Sequence, residues 1–265
     1  MLNFSIKEPL TQDGRIYLGS VEEDTKSYPV LFRGITEDQR FIYTHIQALQ
    51  TAGAIAQDLI PKVYAIINKI PDIPTHKFTV IQEFINGVSL YAYTKDKPLP
   101  TSQAAYLTLI LARDVASYHA AGLLHGDIKR ENIILATEKH CAIFIDNDMT
   151  TVFQSSIMSP AKGYSPHYAC LEQMQGLIGP KTDLRCLAIT LLETILGSHP
   201  FEHIISSHSN PLSIAGIVSS HSLDASPHDH PLITLLCSAT HSEYGKRPNL
   251  NHIINTLQRY PEAFS

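Results

Sequence analysis

The chemistry legible in this chain is carried by four side chains. Asp127 and Asn132 stand five positions apart in the run His125-Gly126-Asp127-Ile128-Lys129-Arg130-Glu131-Asn132. Asp146 closes the apolar run Ala142-Ile143-Phe144-Ile145 that follows. Carboxylate and carboxamide oxygens are the ligands of a hard cation such as Mg2+. A carboxylate can also orient a hydroxyl and take its proton. Lys129, two residues past Asp127, adds an ammonium within reach of the same place. Oxygen ligands, a base and a cation are what phosphoryl transfer asks for, since it depends on positioning and charge neutralisation. Taken singly, Asp127 could cap a turn and Asp146 could end a strand. Together with Asn132 they are better explained as one site.

These residues need elements to carry them. Leu107, Leu111, Val115 and Tyr118 mark one face of a long helix from Thr101 to about Gly122, just before the motif. Ile133-Ile134-Leu135 and Ala142 to Ile145 read as two strands whose ends bring Asp127, Asn132 and Asp146 toward one spot. Met149 to Gly163 is polar and without periodicity, so an exposed loop is expected. Thr182 to Leu196 reads as a buried helix with Gly197 as its C-cap, and short helical pieces follow.

The first third reads as strands. Leu2, Phe4 and Ile6 alternate with polar neighbours, and Gln12-Asp13-Gly14 is a turn. Ile16 to Leu18 opens the return strand, and Tyr28 to Arg33 is a third. Thr36-Glu37-Asp38-Gln39 has the form of a capping box, and Phe41, Ile42, Ile46 and Leu49 recur at helical spacing to about Thr51. Val63 to Ile67 and Phe78 to Ile81 are two further strands, and Lys95 to Pro100 is a connector. The order predicts an α+β chain with two lobes forming one domain over residues 1–265. Residues 1–84 form a small sheet lobe with one helix, 85–100 a hinge and connector, and 101–265 a larger helical lobe.

With 265 residues the chain can bury a large core, and 44% hydrophobic with 17% charged residues suits a soluble globular protein. A formal net charge of −5 argues against nucleic acid or an anionic membrane as partner. The apolar run Leu184 to Leu196 is too short to span a bilayer, and the start has no basic-then-apolar leader. Cys141, Cys170, Cys186 and Cys237 are scattered, so reduced core thiols are expected rather than disulfides or a zinc site. His228-Asp229-His230 has ligand types, but no third ligand is evident nearby and a polar loop is the simpler reading.

The run His125 to Asn132 resembles the H-R-D-x-K-x-x-N catalytic loop of protein kinases, and Asp146 their metal-binding aspartate. Further segments fall in the family's order. Gln82-Glu83-Phe84-Ile85-Asn86-Gly87 looks like the hinge, and Tyr168-Ala169-Cys170-Leu171-Glu172-Gln173 like the segment ending in A-P-E. Thr182 to Ala188 resembles the D-x-W-S-x-G helix start, and Lys246-Arg247-Pro248 carries the late arginine. The resemblance covers nearly the whole chain. It implies an antiparallel N-terminal sheet lobe and a helical C-terminal lobe, with ATP and Mg2+ as cofactors and a protein substrate. Asp127 is then the base, Lys129 a contact to the transferred phosphate, and Asn132 and Asp146 the metal ligands. The backbone of Glu83 and Ile85 would hold adenine, and Gly14 and Arg33 would face the phosphates. Asp183 would hold the catalytic-loop backbone, Glu172 and Arg247 would pair, and His125 would be a packed core histidine.

The chain also departs from the family. The glycine-rich loop is reduced to Pro9-Leu10-Thr11-Gln12-Asp13-Gly14-Arg15-Ile16, with only the last glycine kept. Arg33 takes the place of the V-A-I-K lysine, and its planar fork does not reproduce an ammonium. The helix glutamate aligns with Thr44 or His45, and D-F-G becomes Asp146-Asn147-Asp148. Gly126 replaces the arginine that often binds an activation-loop phosphate, which suggests that loop phosphorylation is not required. Three readings therefore stand: a serine/threonine protein kinase, a pseudokinase acting as a binding or scaffold module, and a small-molecule phosphotransferase of the aminoglycoside or choline kinase type. Lys129 favours Ser/Thr acceptors by resemblance. A cytoplasmic protein is expected, or an effector delivered into a host cell without a readable signal.

Overall fold

The computed structural model describes residues 3–259 apart from residues 24, 57, 69–76, 140, 154–157 and 227–228. The chain divides into two compact units, Met1–Gly87 with Ala136–Ile143, and Val88–Leu135 with Phe144–Ser265.

The first unit is built on an antiparallel sheet. Its strands are β1 (Asn3–Pro9), β2 (Ile16–Glu23), β3 (Lys26–Ile35), β4 (Val63–Asn68) and β5 (Phe78–Glu83), in the order β1-β2-β3-β5-β4. Strand alternation sends Val21, Val30, Phe32 and Ile81 into one buried cluster, with Phe4, Ile6 and Tyr64 packed against it. Between β3 and β4 runs α1 (Glu37–Thr51). Its capping box forms as the sequence predicts: Gln39 N–H donates to Thr36 Oγ1 at 3.3 Å, and Thr36 N–H to Gln39 Oε1 at 2.8 Å. The buried face is not quite the expected one. Phe41 is 65% exposed, while Tyr43 joins Ile42 and Ile46 in the core. Apolar residues on both flanks of the stripe left the periodicity about half a turn of freedom, and packing on the sheet chose Tyr43.

The second unit carries helices α2 (Leu90–Thr94), α3 (Thr101–Ala120), α4 (Leu171–Met174), α5 (Pro180–Leu196), α6 (Glu202–Ile205), α7 (Pro211–Ser220), α8 (Pro231–Ala239) and α9 (Leu250–Arg259). α5 is its axis, buried on every side from Thr182 to Thr194. Pro180 opens it, and Gly197 closes it at φ +76°, its N–H on Glu193 O at 3.0 Å. α3 packs on α5 and α9, and α8 packs on α5.

Two buried arginines fasten this unit. Arg247 donates to both oxygens of Glu172, at 2.6 and 3.0 Å, so the pair anticipated from the sequence forms in the core. Arg185, standing where D-x-W-S-x-G has tryptophan, spends its donors on backbone carbonyls. It reaches Thr240 O at 2.8 Å, Ala169 O at 2.7 Å, Val218 O at 2.6 Å and His221 O at 2.9 Å. Four backbone carbonyls thereby gain charge-assisted partners.

Among the described residues of Met149 to Gly163, a stretch expected to be an exposed loop, there are paired strands. Thr151–Val152 pairs antiparallel with Leu123–Leu124, and Ser159–Pro160 with Leu177–Ile178. Thr150 and Thr151 are buried. Cys170, Cys186 and Cys237 are buried free thiols and Cys141 is half-buried, in keeping with the sequence reading. His228 lies outside the described residues. His230 Nδ1 accepts the Leu232 N–H at 3.2 Å at the start of α8, and no group of three metal-ligating side chains occurs among the described residues. Among them no helix is long and apolar enough to cross a membrane.

His199, after α5, makes stability depend on pH. Burial pushes its imidazole down to about 4, although the carbonyl of His167 on Nε2 works the other way. Nδ1 accepts the Phe201 N–H at 3.3 Å, which fixes the neutral form. The unfolded chain takes up this proton near pH 6.5, the folded chain only near 4. Stability is therefore complete above the upper value and declines as pH falls through the window. The loss should approach about 3 kcal/mol at its lower end. Melting temperatures from pH 7.5 to 4.5 should show a shallower slope in His199→Gln, and parallel slopes would remove His199 from this role.

Candidate active site

Asp127 sits at the centre of a hydrogen-bonded cluster in the second unit and is nearly buried. Its Oδ2 accepts Lys129 Nζ at 2.6 Å and Asn132 Nδ2 at 3.0 Å. Its Oδ1 accepts the hydroxyl of Ser165 at 2.6 Å, and Lys129 Nζ also donates to Ser165 Oγ at 2.9 Å. Asn132 Nδ2 further donates to the Asp127 carbonyl at 2.9 Å. Both of its amide bonds go to oxygen acceptors, which identifies the nitrogen and leaves Oδ1 as the end available to a cation.

The backbone that carries these groups is held from α5 and α3. Asp183 accepts the N–H of His125 on Oδ2 and that of Gly126 on Oδ1, each at 2.9 Å, and His119 Nε2 meets Oδ2 at 2.9 Å. Burial opposes charge on Asp183, but His119 and the amide N–H groups prevail and hold the carboxyl below its usual range. His125 is the packed histidine anticipated. It is 1% exposed, with Nδ1 accepting the Asp127 N–H at 3.3 Å and Nε2 on Ile145 O at 3.2 Å. Gly126 has φ +80°, and a Cβ there would lie 2.7 Å from the Met149 carbonyl oxygen. The arginine of H-R-D therefore cannot be restored at this backbone without displacing Met149.

Asp146 joins the cluster through its neighbour. Ile145 N–H donates to Asn132 O at 2.9 Å, so the two candidate metal-holding residues sit on hydrogen-bonded backbone. Asp146 itself has φ +63°, uncommon outside glycine and concentrated at functional sites. An amide oxygen and a carboxylate are a donor set that fits Mg2+, which keeps several waters and takes few protein ligands.

The remaining predicted residues belong to the first unit. Gly14 closes the turn after Thr11, its N–H on Thr11 O at 3.1 Å. Arg33 lies in β3 opposite Ile16 and Val80. Thr44 donates its hydroxyl to Arg40 O at 2.8 Å, and His45 stacks on Phe41. Glu83 ends β5, its carboxylate on Lys139 at 2.8 Å. A cavity of about 400 Å³ is lined by Tyr28, Tyr64, Glu83, Ile85 and Lys139 among others. Arg33 is not among the residues that line this cavity.

Ser165 was not singled out by the sequence. It lies 38 residues from Asp127, inside a polar stretch that offers a single chain no distinguishing pattern.

The profile of the family described as Protein kinase domain matches residues 35–257. The match begins just past Arg33 and so leaves Gly14 and Arg33 outside it. Similar proteins include serine/threonine-protein kinase D of Synechocystis, 29% identical over 54% of this chain and 28% of that protein. Serine/threonine-protein kinase PknA of Nostoc is 30% identical over 64% of this chain and 32% of its own length. Serine/threonine-protein kinase PrkC of Bacillus subtilis is 26% identical over 62% and 25%. The matched stretch thus spans only about a quarter to a third of each relative.

Proposed function

The chain belongs to the protein kinase family, and on that premise we propose that it transfers the γ-phosphoryl group of Mg-ATP to a serine or threonine hydroxyl of a protein substrate. The observation that carries this reading is the cluster on Asp127. Its carboxylate already accepts a hydroxyl, that of Ser165, at 2.6 Å. An acceptor hydroxyl on a remaining lone pair would be oriented in the same way and would give up its proton there. Lys129 holds the same carboxylate and presents an ammonium to the transferred group. Asn132 Oδ1 and the Asp146 carboxylate are the groups that would hold Mg2+. When bound, Mg-ATP supplies the phosphoryl group and the cation that neutralises its charge. In this reading residues 1–84 handle the nucleotide phosphates through Gly14 and Arg33. Residues 85–100 serve as hinge and connector, with the backbone of Glu83 and Ile85 at the adenine, and 101–265 carry the acceptor chemistry.

One observation favours a second reading. The family match omits the stretch holding Gly14 and Arg33, where the phosphate loop and the lysine have been replaced. A pseudokinase that binds partners without transfer would look like this. Nucleotide binding separates the two. Millimolar Mg-ATP should raise the melting temperature in a concentration-dependent way, with a stabilisation of about 2.7 kcal/mol at a hundred times Kd. An unchanged melting temperature at every Mg-ATP concentration would favour the pseudokinase.

A further inference from the structure

We infer that Tyr118, Asn147 and Thr150 form a polar lock that positions Asp146, a role that rests on the reading of Asp146 as a metal ligand. Asn147 occupies the place of the D-F-G phenylalanine and is 3% exposed. Its Oδ1 accepts the hydroxyl of Tyr118 at 2.7 Å. Since Tyr118 spends its proton on Asn147, the Thr150 hydroxyl donates to the phenol oxygen at 2.9 Å. The Thr150 N–H returns to Asn147 O at 3.1 Å and closes the turn.

Tyr118 and Thr150 are buried as fully as Asn147. Burial also pushes the Tyr118 phenol up, so it remains a neutral donor. On the other side of Asp146, Ile145 is held through its N–H on Asn132 and its carbonyl on His125. The Tyr118 ring lies against His125, with centroids 5.8 Å apart, so one helix face supports both flanks.

Asp146 is thus a left-handed non-glycine residue with each neighbour tied down. Such a conformation is disfavoured in isolation and persists where its surroundings over-determine it. A phenylalanine would hold this position by packing, which tolerates sliding. Asn147 holds it by directional bonds that fix both the depth and the rotation of the turn.

The test is a Mg2+ titration of the nucleotide-induced rise in melting temperature at fixed ATP. It compares wild type, Tyr118→Phe, Thr150→Val and Thr150→Ser. Tyr118→Phe and Thr150→Val should each need roughly tenfold more Mg2+ for the half-maximal rise, the factor that loss of one buried hydrogen bond produces. Thr150→Ser keeps the hydroxyl and should stay near wild type, which a general loss of stability would not reproduce. Amide hydrogen exchange without metal should quicken at residues 147–150 in Tyr118→Phe and not in α8. Equal Mg2+ midpoints in all four proteins would overturn the lock while leaving Asp146 as a ligand. No Mg2+-dependent rise in wild type would overturn the reading of Asp146 itself, and the lock's role with it.

Discussion

In Asp127→Asn, phosphoryl transfer should fall by about 10²- to 10⁴-fold, the usual contribution of a positioned base, while the protein remains folded. The substitution preserves shape and removes the one group in the cluster able to accept a proton. It also turns an acceptor into a donor beside donors. Lys129 and Asn132 both give hydrogen bonds to Oδ2, and Ser165 gives one to Oδ1. Whichever way the new amide turns, it meets one of them with an N–H. Lys129 keeps Ser165 as a partner and is partly exposed, so its charge is not stranded. Turned with its oxygen toward Lys129 and Asn132, the amide keeps both bonds and gives its N–H to Ser165 Oγ, which can accept as well as donate, so the melting temperature should move by only a few degrees. Labelled ATP with purified protein measures the first quantity and thermal denaturation the second. Transfer within threefold of wild type would remove Asp127 from its role.

Arg247→Met should be the most damaging single change to stability that leaves the Asp127 cluster untouched. Arg247 is 1% exposed and bidentate on Glu172. It also donates to the carbonyls of His241, Ser242 and Lys181. Removing it strands a buried carboxylate, a class of change that costs about 3–5 kcal/mol. For a chain of this size that is roughly 10 °C in melting temperature. Burial works against the charge on Glu172, but Arg247 overcomes it and holds the carboxyl below its ordinary value of 4.5. The pair's contribution is thus complete above that value and is lost as pH falls through the depressed folded value. Adding Glu172→Leu to Arg247→Met should recover part of the loss, because the stranded charge goes with it. The three carbonyls remain, so recovery should be incomplete. A double variant no more stable than the single one would show that the carbonyls, not the charge, dominate.

Whether a feature was legible in the sequence follows from how local its cause is. The capping box of Thr36 and Gln39 spans four residues, and the stop at Gly197 depends on a single backbone conformation. Asp127, Lys129 and Asn132 share one loop, so their spacing alone placed them together. Asp183 and the Glu172–Arg247 pair could be anticipated only through the family resemblance, because Glu172 and Arg247 lie 75 residues apart. Ser165 had no such guide. Helical periodicity makes Tyr118 one more apolar position, and the pattern says nothing of where a phenol hydroxyl goes. The polar run around Thr150 and Thr151 predicts exposure for both. They are buried because Tyr118 takes the Thr150 hydroxyl and strand pairing takes the backbone around Thr151. Arg185 shows the same limit, since no composition rule anticipates a guanidinium spent on four carbonyls.

These findings move the weight of the functional question from Asp127 to the nucleotide. The groups proposed to serve the acceptor lie within one unit, down to the hydroxyl on the candidate base. The residues proposed to hold the phosphates are those outside the family match. The most direct measurement is transfer from γ-labelled ATP in the presence of Mg2+, with wild type and Asp146→Ala side by side and dephosphorylated casein as the acceptor. The account predicts label on serine or threonine with wild type and background counts with Asp146→Ala. No label with wild type, or equal label with both proteins, would contradict it.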